Sequence, residues 1–159
     1  MAGSKLPRHG IALVALVLVM LPLVASTAAA DQYFHTTHAA LTPIGGAPLQ
    51  SGFVNDIHAN GPEISAQERY VLVGAMPDTT YSVALHISVG DPTCTVVSRV
   101  RQTASFTTNG TGNGEGSFTF VQANPKPPPN PQQVYIRWVV SSGGVPQYQT
   151  DCIPVVIGA

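Results

Sequence analysis

Beyond its N-terminal segment, the chain offers four histidines as its most reactive side chains. His35 and His38 stand three apart, and His58 and His86 follow, so neutral imidazoles could collect copper or zinc in an exported protein. A spacing of three puts two rings on one face only in a helix, and the residues around His35 and His38 have no helical pattern. Solvated or hydrogen-bonding histidines are the plainer account, and His86 falls on the polar side of its segment.

Other candidate chemistry is thinner. Asn109 to Gly116, NGTGNGEG, alternates glycine with oxygen-bearing side chains, somewhat like a calcium loop. It lacks the Asp-rich start and bidentate acid of an EF-hand, and no Gly-Lys-Ser/Thr follows to cradle phosphate. Its glycines read as a hairpin loop in which positive φ is cheap. Asn109-Gly110-Thr111 is formally a glycosylation acceptor. No Gly-x-Ser-x-Gly elbow is present, and the eight acids fall mostly at turns, giving no reason to expect a glycosidase-like carboxylate pair. Trp138 sits inside an apolar alternation and reads as core in preference to a sugar platform. No cofactor is expected.

Cys94 and Cys152 are the two cysteines. An even count in an exported protein reads as a disulfide, and the chain-entropy model gives a loop of this length about 4 kcal/mol. Neither sulfur would then remain a nucleophilic thiolate.

The destination is legible at the N-terminus. Lys5 and Arg8 precede the uncharged run Ile11 to Ala25, and Ala28-Ala29-Ala30 supplies small residues for a signal peptidase. That run has 15 residues, short of the roughly 20 that span a bilayer. Residues 1–30 are read as a signal peptide, 31–50 as a flexible lead-in that could lay down one irregular edge strand, and 51–159 as one domain. Without Lys5 and Arg8 the chain keeps five basic residues against eight acidic, a net charge of −3. No basic patch exists to neutralise phosphates, so nucleic-acid binding is excluded as a first reading. Glycine and proline together number 29, and with abundant Thr and Val they favour strands and turns over helix bundles.

The stretch that organises the chain is Arg69 to Ile87. Its first half is apolar, Pro77-Asp78 turns the chain, and Tyr81, Val83, Leu85, Ile87 and Val89 then alternate with Thr80, Ser82, Ala84, His86 and Ser88. Before it, Ser51 to Ala59 reads as a strand with Phe53 and Ile57 inward, closed by an Asn60-Gly61-Pro62 turn. After it, an extended segment runs from Cys94 to Thr108 with Val96, Val100 and Phe106 as core candidates. A hairpin loop leads into Ser117 to Val121, and five prolines between Asn124 and Pro131 form an extended connection. Val134, Ile136, Trp138 and Val140 share a strand face, Ser142-Gly143-Gly144 turns, and Gln147 to Ile157 ends the chain.

Ala75-Met76-Pro77-Asp78-Thr79-Thr80-Tyr81 resembles the tyrosine corner of immunoglobulin-like and fibronectin type III domains. The resemblance implies that Tyr81 bonds a backbone group a few residues upstream, with Pro77 and Thr79 at the usual offsets. More than 70 residues follow the corner here, so it carries the architecture and not the strand order. The chain also resembles small secreted prokaryotic β-sandwich proteins of unassigned function that join such a corner to a Thr-Thr-Asn-Gly-x-Gly-Asn-Gly hairpin. The expected fold is thus all-β, an immunoglobulin-like sandwich of about seven to eight strands behind a signal peptide. The expected function is non-enzymatic, a structural or binding module at the cell envelope or outside the cell. Its partner would be another envelope or extracellular protein or a glycan, with no nucleic acid and no membrane after signal cleavage. The alternative is a small secreted metal-binding protein or enzyme using His35, His38, His58 or His86.

Overall fold

The computed structural model describes residues 34–59, 65–121 and 132–157. Residues 1–30 read as a signal peptide, Asn60-Gly61-Pro62 read as a turn and the proline-rich Asn124 to Pro131 lie outside them. In chain order the strands are β1 (Phe34–Ala40), β2 (Thr42–Pro43), β3 (Ser51–Ala59), β4 (Ser65–Val73), β5 (Thr80–Val89), β6 (Arg99–Thr107), β7 (Gly114–Val121), β8 (Gln132–Ser142), β9 (Val145–Gln149) and β10 (Ile153–Ile157). No helix occurs among the described residues.

The strands form two antiparallel sheets. One has four strands in the order β1-β3-β4-β7, and the other has six, ordered β2-β9-β8-β5-β6 with β10 also paired to β8. Alternation decides which side of each strand is covered. In β4, Glu68, Tyr70 and Leu72 are buried while Gln67 and Arg69 are exposed. In β8, Val134, Ile136, Trp138 and Val140 are all buried, as their spacing predicts. One core joins both sheets, with Val54, Tyr70 and Leu72 from the first meeting Val83, Trp138 and Val140 from the second. Such packing is the sandwich solution for two half-apolar sheets.

Several expectations change. Within 31–50, where the sequence leaves both a flexible arm and an edge strand open, residues 34–40 form the seven-residue edge strand β1. In β3 the buried residues are Val54 and Asp56, whereas Ile57 is 39% exposed. A slip of one residue turns every side chain to the other face, and Phe53-Val54 offers an apolar residue to both. Val96 is exposed in the turns of residues 91–98 and Val100 at the exposed start of β6, so only Phe106 of that trio reaches the core.

The Asn109 to Gly116 stretch is not a hairpin. β6 belongs to the six-stranded sheet and β7 to the four-stranded one, so residues 108–113 cross between sheets. Residues 74–79 cross in the other sense, from β4 to β5. The two crossings are stitched together: Ala75 N–H donates to Gly112 O at 3.0 Å, Asp78 N–H to Asn109 O at 3.2 Å, and Thr108 N–H to Thr79 O at 3.0 Å. The Thr108 hydroxyl adds a bond to Met76 O at 2.6 Å. Gly112 has φ of +77°, and a Cβ there would collide with the Ala75 carbonyl oxygen. Gly112 therefore serves the close approach of two backbones, while Gly116 leaves room for the Phe106 ring.

Candidate functional site

The four-stranded sheet carries an unexpected inner face. Val54, Asp56 and His58 alternate inward on β3, and Tyr70 and Glu68 stand in register opposite Val54 and Asp56 on β4. Asp56 and Glu68 are each only 5% exposed, so two carboxyl groups meet between the sheets. Side chains directly opposite on one face have Cβ atoms about 5 Å apart. Each carboxyl has its own partner. His58 Nδ1 lies 3.1 Å from Asp56 Oδ2, and the Tyr70 hydroxyl contacts the Glu68 carboxyl. Tyr70 Oη also lies 2.7 Å from Thr103 Oγ1 on β6.

These surroundings push the groups in different directions. Burial drives the Glu68 carboxyl above its ordinary range, against its hydrogen-bond contact with Tyr70, and the charge of Asp56 pushes the same way as burial. His58 is raised chiefly by its hydrogen bond to Asp56, with partial burial opposing. Burial and the neighbouring Glu68 push the Tyr70 phenol up. Asp56 Oδ1 and Trp138 Nε1 are buried without a hydrogen-bond partner. At the rim, the Arg101 guanidinium lies over the Phe120 ring, 4.0 Å from its centroid. At 5% exposure neither acid offers a substrate any surface.

The sequence reading missed this pair because it placed the acids at turns. A usable signal was present: Val54-x-Asp56-x-His58 and Glu68-x-Tyr70-x-Leu72 both have period 2, with an acid in the apolar frame. Unpaired acids seldom occupy such positions.

The histidines do not converge. His35 and His58 face each other across β1 and β3 with stacked rings 5.7 Å apart. His38 takes the opposite, outer face, with Nδ1 2.7 Å from Asn55 Oδ1. His86 lies on the outer side of the other sheet, beside Val100 and Arg137 in register. Burial and then the Arg137 charge lower its pKa. Among the described residues no three His, Cys, Asp or Glu side chains come together to hold a metal ion. In the glycine-rich crossing, Asn109 Oδ1 is occupied by the N–H groups of Thr111 and Asn113, both at 3.0 Å. Trp138 is wholly buried.

Tyr81 is also wholly buried. Its oxygen accepts from Met76 N–H at 3.3 Å and lies 3.2 Å from Tyr148 Oη. Tyr148 in turn donates to Pro48 O at 2.8 Å. The Thr79 hydroxyl donates to Pro77 O at 2.8 Å.

Cys94 and Cys152 form a disulfide with Cα atoms 5.7 Å apart. It pins the turns between β5 and β6 to the segment between β9 and β10. Arg137 Nη2 adds a bond to Thr93 O at 3.0 Å. Inside the turn, the Thr93 hydroxyl and the N–H groups of Val96 and Thr93 hold the Asp91 carboxyl well below the usual carboxylate range. A disulfide is compatible with an extracellular location.

The open surface of interest is the outer face of the four-stranded sheet. A groove of about 560 Å³ runs across β3, β4 and β7, lined by outward residues including Asn55, Gln67, Arg69, Glu115, Ser117 and Thr119, with Ile57 at one side. Arg69 Nη2 donates to Glu115 Oε2 at 2.7 Å, and both side chains remain mostly exposed. The groove therefore presents amides, hydroxyls and a self-neutralising ion pair. Compared with protein-family models, with curated proteins and with solved structures, the chain matches none of them.

Proposed function

We propose that the chain is an exported, non-enzymatic sandwich module of immunoglobulin-like type that binds an uncharged polar ligand on the outer face of its four-stranded sheet. The observation that carries this reading is the groove lined by Asn55, Gln67, Ser117 and Thr119 and closed by the Arg69–Glu115 pair. Planar amides and hydroxyls with no net charge match the vicinal hydroxyls of a glycan, and Ile57 can meet the apolar face of a sugar ring. Export is supported by the N-terminal segment and the disulfide. The immunoglobulin-like reading is supported by the Tyr81 oxygen accepting from Met76 N–H, five residues upstream.

The test is glycan-array binding by the disulfide-intact mature chain starting at Asp31, beside a Gln67→Ala/Thr119→Ala double variant. Expected is binding to neutral polysaccharide that the variant loses while keeping its melting temperature. Equal binding by both proteins, or capture only of charged ligands, would contradict the assignment.

A further inference from the structure

The buried acids pose a question of hydrogens. In β6 the register with β5 shifts, Val83 pairing with Ala104 and Ala84 with Gln102. Thr103 is left over at this bulge, and bulges commonly re-aim a side chain. Its hydroxyl points to Tyr70 and to Val83 O, at 2.7 and 3.2 Å. Three contacts therefore run in a row from the first sheet to the second: Glu68 carboxyl to Tyr70 Oη, Tyr70 Oη to Thr103 Oγ1, and Thr103 Oγ1 to Val83 O.

Each contact needs one hydrogen. Each hydroxyl carries one and the backbone carbonyl carries none. With Thr103 donating to Val83 O and Tyr70 donating to Thr103, the hydrogen for the remaining contact comes from Glu68. We propose that Glu68 is a carboxylic acid in the folded protein and donates its proton to Tyr70, closing an inter-sheet hydrogen-bond chain that mild acid tightens and base breaks.

The charges around Glu68 agree. From β3, Asp56 faces it as an anion already matched by His58, whose ring stacks on His35 of β1. On β7 the opposing residue is Phe118, which brings no charge. From β6, Arg101 lies over the Phe118 and Phe120 rings at an exposed rim and only partly offsets a second anion. From β8, the Trp138 indole N–H, short of hydrogen-bond geometry, favours the charged form. An ionised Glu68 would thus stand beside Asp56 in a nearly dry site, and two such carboxyls settle into different protonation states.

The linkage sign follows. Glu68 binds its proton more tightly folded than unfolded, so its stabilisation is fully present below its ordinary value of 4.5 and is lost as pH rises through the higher folded value. His58 is raised above 6.5 and acts in the same direction. Below the ordinary aspartate value of 3.8 the trend reverses, because Asp91 of the unfolded chain takes up a proton that the bonded carboxyl of the folded state resists.

Only three glutamates exist in the chain, Glu63, Glu68 and Glu115, so a carbon-13 titration of their side-chain carboxyls reads the proton directly in the unaltered protein. One carboxyl is expected to titrate above the other two, and Glu68→Gln should remove that signal. Three ordinary midpoints would overturn the proposal. Melting curves give a second reading: Glu68→Gln, whose amide donates at every pH, should melt with a flatter pH dependence than the parent. An unchanged slope counts against the proposal. So does a melting temperature that equimolar calcium or zinc raises while abolishing the slope, since the carboxyls would then be holding a cation.

Discussion

Two buried tyrosines stand at the head of hydrogen-bond chains in this sandwich, and they differ in where the first hydrogen comes from. Tyr81 accepts from the Met76 amide, and the run continues through Tyr148 to Pro48 O. Every hydrogen in it is supplied by an amide or a hydroxyl and none by a carboxylic acid. Tyr70 sits against Glu68 and continues through Thr103 to Val83 O. That run is complete only while an acid is protonated. The same phenol chemistry thus makes a constant lock beside the paired crossings and a proton-dependent one further along the core.

The comparison can be broken most forcefully at the crossings. Gly112→Ala would place a Cβ against the Ala75 carbonyl at positive φ, and a loss of about 3 kcal/mol is expected. Urea unfolding measures it, and a loss under about 1 kcal/mol would mean the crossings are not locked. Next in size is Tyr81→Phe, which leaves the Met76 amide short of its acceptor and should cost about 2 kcal/mol, equally at pH values from mildly acidic to mildly basic. A cost that varies across that range would erase the contrast with Tyr70. The smallest effect on stability belongs to Arg69→Ala, within about 0.5 kcal/mol, because the Arg69–Glu115 pair is solvent-exposed. Its larger effect should be weaker glycan binding, read by titration calorimetry.

How legible these features were depended on whether one residue type meant one thing. β5 and β8 could be placed from sequence because their apolar residues alternate, and Tyr81, Val83, Trp138 and Val140 are indeed buried. Towards the end of β5, however, the expected faces exchange, with Ser88 buried and Val89 65% exposed. The cysteine pairing followed from there being only two. β3 was misframed because Phe53 and Val54 offer both faces an apolar residue, and the frame that won includes Asp56. Hydrophobic pattern rewards apolar residues inside, so it hides a strand whose inward set includes an acid. The glycines at 110–116 correctly announced unusual backbone, yet positive φ does not say which sheet the chain enters next. That depends on the contact between Gly112 and Ala75, 37 positions apart in sequence. Val96 misled because a disulfide holds turns where its apolar character suggested a buried strand, and Val100 because the first four residues of β6 are all exposed.

The most direct test of the contrast between the two tyrosine chains is the melting temperature of the parent, Tyr81→Phe and Glu68→Gln proteins, followed from about pH 5 to about pH 8. The Tyr81→Phe curve should run parallel below the parent. The Glu68→Gln curve should meet the parent in acid and rise above it as pH increases. Three parallel curves would contradict a proton at Glu68.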